Sequence, residues 1–152
     1  MKKTINYKPI ETTKFDTIFY ASSIAFNILV SILYLSIKYN KPSILKITGI
    51  AVVLLFVPFI LTIVQYIRYK NPIKKIVFNA IILFYLIIEI LFDYILHIPF
   101  REILWLHISY IILFYAASYS MIVSNWKVSK FRGLLVLFTF ILLIICLIHM
   151  FS

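Results

Sequence analysis

Five apolar runs of about 20 residues partition this sequence, and a helix needs about that length to cross the roughly 30 Å hydrocarbon core of a bilayer. The runs are Thr17–Ile37, Ile47–Ile67, Ile76–Leu96, Ile103–Asn125 and Leu134–Phe151. Charged residues stand at their edges: Asp16, Lys38, Lys46, Arg68, Lys75, Glu102, Lys127 and Arg132. The pattern predicts an all-α integral membrane protein, a bundle of five transmembrane helices. A polar, basic segment over residues 1–16 precedes a single transmembrane domain over 17–151.

Composition closes off the soluble alternatives. Of the 152 residues, 64% are hydrophobic and 13% charged, and the mean hydropathy is +1.06. A soluble domain averages about 45–50% apolar and about 25% charged. A soluble fold of this size would keep about 30% of its surface wet, too much to hide so many apolar side chains. A disordered chain and a disulfide scaffold are excluded with it. The single cysteine, Cys146, lies inside an apolar run, so neither an internal disulfide nor a CxxC redox site is available.

The connections are short and carry turn formers: Asn40 and Pro42, Asn71 and Pro72, Pro99, and Gly133. Short links make consecutive helices antiparallel neighbours. No linker or internal repeat stands out. The first run shows no small-residue cleavage pattern, is too long for the apolar part of a signal peptide, and reads as an uncleaved signal anchor.

Fifteen Lys and Arg against five Asp and Glu give a net charge of +10. The basic residues sit in clusters between apolar runs, with no polar domain for a nucleic acid to bind, so nucleic acid is not expected as a partner. Their distribution is instead a topology signal. Four in the N-terminal segment, four in Arg68–Lys75 and three in Lys127–Arg132 fall on one side, eleven in all. Three in Lys38–Lys46 and one in His97–Glu102 fall on the other, four in all. That imbalance predicts a cytoplasmic N-terminus and an external C-terminus in a multi-pass protein of the plasma membrane. The clusters also suit anionic headgroups, so membrane lipids are expected partners, beside a homo-oligomer or a membrane partner protein. Twelve Lys against three Arg, with many Ile and Asn, suits an AT-rich prokaryotic genome.

Several features read as packing. Ser23, Asn27 and Ser31 recur every four residues, as do Ala116, Ser120 and Ser124; small residues at that spacing make close helix–helix seams in lipid. Pro58 stands inside the second run with Thr62 and Gln65 after it, a pattern of a kink that either lines a cavity or is absorbed by packing. Trp105 and Trp126 near opposite span ends, with Tyr7, Tyr20, Tyr39, Tyr66 and Tyr69, form the expected interfacial belts.

Charges within spans mark functional candidates, and two occur, Glu89 and Asp93. His97 and Arg101 continue the four-residue spacing. On an α-helix that reached His97, the first three would share a stripe drifting about 40° per step. The predicted topology puts this stripe in one outer layer with His107 and His149. Glu89, Asp93, His97, Arg101, His107 and His149 are therefore the candidate ligand-binding residues. Several chemistries suit such a layer: divalent metal binding, proton relay, a headgroup or quinone pocket, or haem held by His107 and His149. The structural alternative pairs the carboxylates with Arg101 and nearby Tyr or His. No spacing matches a metal signature such as HExxH, no nucleophile motif accompanies the carboxylates, and no particular cofactor is indicated. The expected function is a small membrane protein that binds a small ligand, ion or lipid at an outer-leaflet polar layer, as a transport component. A membrane enzyme acting on a lipid or quinone is one alternative, and an interaction subunit of a membrane complex is the other.

Overall fold

The computed structural model describes residues 9–96 and 102–152, and nearly all of them are helical. The order is α1 (Pro9–Lys38), α2 (Pro42–Leu54), α3 (Phe56–Arg68), α4 (Ile73–Glu89), a π-helical turn (Ile90–Ile95), α5 (Leu104–Val128) and α6 (Lys130–Phe151). Five stretches are long and apolar enough to cross a membrane: Lys14–Lys38, Pro42–Arg68, Ile73–Asp93, Leu104–Val128 and Lys130–Phe151. They contain most of each expected run. The first helix is described from Pro9 onward, and Asp16 lies within it; residues 1–8 of the basic N-terminal segment lie outside the described residues.

The second span is two helices. Leu55 leaves the regular path in a tight turn, its N–H bonded to Val52 O at 3.1 Å, and Pro58 follows inside the first turn of α3. A proline cannot donate to the preceding turn and displaces its carbonyl, which accounts for the break falling just upstream. Thr62 is fully buried, and its hydroxyl bonds Phe59 O and accepts from Asn79 Nδ2 at 2.7 Å. The polar group beside the kink is thus absorbed by packing.

Two connections share one construction. Lys38-Tyr39-Asn40-Lys41-Pro42 and Arg68-Tyr69-Lys70-Asn71-Pro72 each end a helix on an aromatic after a basic residue and restart on or beside proline. In both the third residue is left-handed, Asn40 at φ 50° and Lys70 at φ 49°. The following N–H reaches back to close the helix, Lys41 to Ser36 O and Asn71 to Tyr66 O, each at 2.9 Å. The α5–α6 reversal is tighter, with the single extended residue Ser129 between the helices. Gly133 makes that reversal possible: a Cβ there would lie 2.6 Å from Trp126 Cα.

Helix α1 is the hub. It packs on α2, α3, α5 and α6, while α3, α4, α5 and α6 each lie against the next. Its span is 39% buried against 17% for α6. The reason is its run of small polar residues: Ser22, Ser23, Asn27, Ser31 and Ser36 are all buried. The expected seams thus pack, with Ser120 and Ser124 of α5 buried as well. Serine hydroxyls bond the carbonyl one turn back, as Ser23 does to Phe19 O at 2.8 Å. The amide groups cross between helices. Asn27 donates to Thr139 at 2.9 Å, Asn79 to Thr62 and Asn125 to Ser23 at 3.2 Å. Such bonds hold helices together where water cannot compete.

The outward faces are hydrocarbon. Leu54, Val57, Leu61, Val64 and Ile67 on α2 and α3 are each more than half exposed, as are Phe138, Ile145 and Ile148 on α6. Apolar surface this continuous suits lipid.

The helix ends sort into two groups. One end of the bundle gathers the start of α1, the end of α3, the start of α4, the end of α5 and the start of α6. It is tied by Asp16–Lys75 at 2.8 Å and by Arg132 to Thr17 at 3.2 Å. The opposite end gathers Lys38, the π turn, the start of α5 and His149. There Lys38 Nζ donates to His149 O at 2.6 Å.

Candidate functional site

At that second end α1, α4, α5 and α6 stand apart around a cavity of about 510 Å³, with Val52 of α2 on its wall. Its rim includes Ile37 and Phe151, both exposed at helix ends. Most of the lining is aliphatic or phenyl, so the exceptions matter: Tyr34, Tyr85, Glu89, His107, Tyr110 and Tyr115.

Three of these form a chain of hydrogen bonds. Helix α4 carries Tyr85 and Glu89 one turn apart on one face, and α5 brings Tyr110 against both. The Tyr110 hydroxyl donates to Glu89 Oε2. Its only proton is then committed, so the Tyr85 hydroxyl, 2.6 Å away, donates to the Tyr110 oxygen. Glu89 is 9% exposed and Tyr85 2%. Ring packing holds the chain in place: Tyr85 meets Phe26 edge-on at 5.8 Å, Phe114 at 5.8 Å and Tyr110 at 5.4 Å. Edge-to-face contacts at such distances stabilise by about 0.5–1.5 kcal/mol each. Four aromatic rings therefore fix the direction in which Glu89 is approached.

His107 enters from the first turns of α5, one helical turn before Tyr110. Its Nδ1 is buried and meets no hydrogen-bond partner among the described residues. A buried ring nitrogen without a partner is costly, typically by about 1–3 kcal/mol, and this one is covered by protein atoms while the residue itself borders the cavity.

The remaining expected residues lie elsewhere. Asp93 sits on the π turn, half-buried, and is not part of the cavity wall. The turn explains this. It bonds i to i+5, as Leu96 N–H to Leu91 O at 2.8 Å shows, so it winds less per residue than an α-helix. The stripe expected from a continuing α-helix is broken just after Glu89. His149 is exposed; its Nε2 lies 3.2 Å from the Tyr39 hydroxyl. Its neighbours Leu147 and Met150 line the cavity, while His149 itself ties α6 to the end of α1. Glu89 and His107 thus share the cavity, and His149 does not join them. His97 and Arg101 lie outside the described residues. Among the described residues, no three His, Cys, Asp or Glu side chains gather as a metal-binding set.

A nearby Tyr was expected as a partner for the carboxylates in the structural alternative, and Tyr110 fills that place for Glu89; which tyrosines would gather there was not read from the sequence. Tyr85 precedes Glu89 by four residues and so had to share its face, but eleven tyrosines in a membrane chain read first as interfacial belt.

The chain matches no protein-family profile, no curated protein and no solved structure.

Proposed function

We propose that this chain is a multi-pass plasma-membrane protein of a prokaryote that binds a small amphipathic molecule in the α1/α4/α5/α6 cavity. In this reading it serves as a binding or transport component and not as an enzyme. One observation carries the reading: a cavity of about 510 Å³ whose apolar wall is interrupted by the Glu89–Tyr110–Tyr85 chain, with His107 beside it on the lining. Small-molecule sites combine these features, an apolar body of about 300–1,000 Å³ and a few placed polar groups that fix orientation. The ligand's polar head would meet Glu89, Tyr110 and His107, and its apolar part would lie along Val30, Leu33 and Phe114.

The proposed topology keeps the N-terminus in the cytoplasm, on the strength of eleven basic residues against four. The cavity then opens toward the outer leaflet. A C-terminal reporter that fluoresces only in the cytoplasm should be dark.

Native mass spectrometry of protein purified in mild detergent tests the binding reading. Wild type should carry an adduct of a few hundred daltons. Leu33→Trp, which fills the cavity from its α1 wall, should fold and lose it. Wild type without an adduct, or an adduct equally retained by Leu33→Trp, would refute the reading.

A further inference from the structure

A second hollow lies on the outside of the same two helices. Between α4 and α5 a groove of about 390 Å³ runs past Phe84, Ile88 and Phe92 on one side and Ile112, Leu113 and Ala116 on the other. Among the described residues, Ser109 and Tyr110 are its only polar wall residues. Phe84 is 54% and Ile112 65% exposed, so the groove faces outward, where spanning helices meet hydrocarbon.

Tyr110 lines both this groove and the inner cavity. Among the described lining residues it alone borders both, and its hydroxyl is bonded to Glu89 and Tyr85. The helix that forms one wall changes winding at this height, because the π turn begins directly after Glu89. Single π turns interrupt an α-helix at the expense of regular bonding and concentrate at functional positions.

We propose that the α4–α5 groove is a lateral entrance through which the hydrocarbon chain of a membrane lipid reaches the cavity, with Tyr110 as the gate. The inference rests on the binding reading above and names the ligand class, a lipid-like amphiphile taken from the bilayer. The chain slides from the groove past the displaced Tyr110 ring to Val30 and Leu33, the head follows as far as Glu89, and reforming the Tyr110–Glu89 bond closes the wall. An apolar groove at hydrocarbon depth takes up a chain without desolvating polar groups, whereas entry past the rim at the helix ends would drag the chain through water.

Photolabelling decides it. The protein is reconstituted in vesicles of phosphatidylethanolamine and phosphatidylglycerol, the latter carrying a mid-chain diazirine, and cross-links are mapped residue by residue. Ile32, which is 39% exposed, reports ordinary contact with lipid; Val30 and Leu33 report the cavity. Wild type should be labelled at all three. Ser109→Trp and Ile112→Trp, two exposed groove positions, should each lower labelling at Val30 and Leu33 about tenfold relative to Ile32, equivalent to about 1.4 kcal/mol. Ile145→Trp, on the outward face of α6 and away from groove and cavity, should leave the ratio unchanged. If the groove variants leave cavity labelling intact, lateral entry is wrong and the binding reading stands. If wild type is never labelled at Val30 or Leu33, the binding reading itself fails, and the entrance with it.

Discussion

The two ends of this bundle use a buried carboxylate and tyrosines to opposite effect. At the first end Asp16 accepts from Lys75 at 2.8 and 2.9 Å and from the Tyr66 hydroxyl at 2.8 Å, joining α1, α3 and α4. Cations cap rings around it: Lys75 over Tyr66, Lys127 over Phe78 and Arg132 over Tyr20, all within 5.3 Å of the centroid. Each contact crosses from one segment to another and draws the helices in. At the second end Glu89 meets Tyr110 and Tyr85 on the wall of an open volume, with α1 and α6 joined beyond it by Lys38 and His149. Lysine at the membrane surface can reach water with its head while its stem packs, which suits a latch. Tyrosines build a rigid, largely apolar wall with a polar tip, which suits a pocket.

That contrast can be broken by substitution, and the largest effect belongs to the latched end. Gly133→Ala pushes a methyl group into the Trp126 backbone, and overpacking of this kind should cost about 3 kcal/mol, read as a fall in thermal midpoint in detergent. Asp16→Ala leaves Lys75 and the Tyr66 hydroxyl without their acceptor. Since Lys75 is 20% exposed, the cost should be about 2 kcal/mol, below the value for a fully buried pair. Leu33→Phe adds comparable bulk at the open end and should cost less than about 1 kcal/mol, because the cavity accepts it. A large loss there would mean that the two ends are packed alike. The smallest effect compares the twin turns. Asn40 suits its left-handed backbone and Lys70 does not, so Lys70→Asn should stabilise by about 0.5 kcal/mol, visible as a small rise in midpoint.

Much of the fold was legible because hydrophobic length is a direct requirement of the bilayer. Residue by residue, the α1 seam of Ser23, Asn27 and Ser31 also read correctly, since a four-residue repeat on a helix can only be one face. The latch was not legible. Asp16 falls beside an apolar run, and nothing local shows that α1 already includes it or that Lys75, 59 positions away, folds back onto it. The site was half legible. Charge inside a span marked Glu89, and its helix-end depth placed it near His107. Asp93 was read onto the same stripe because the α period was extended through Ile90–Ile95, where a π turn changes the phase. His149 was grouped by depth alone, and depth does not say which way a side chain faces; Tyr39 turns out to be its neighbour.

The central claim is that Val30 borders occupiable space while Ser23, two turns back on the same helix, is packed against α5, and thiol labelling along α1 tests it most directly. Ser23 and Val30 stand seven residues apart on one face and are both buried, at 0% and 6% exposure. Ser23 packs against Asn125, whereas Val30 borders the cavity. In a Cys146→Ala background, Ser23→Cys and Val30→Cys would be treated with a small membrane-permeant maleimide. The account predicts that Val30→Cys reacts at least about tenfold faster, a difference of about 1.4 kcal/mol in access. Equal rates at the two positions would contradict it.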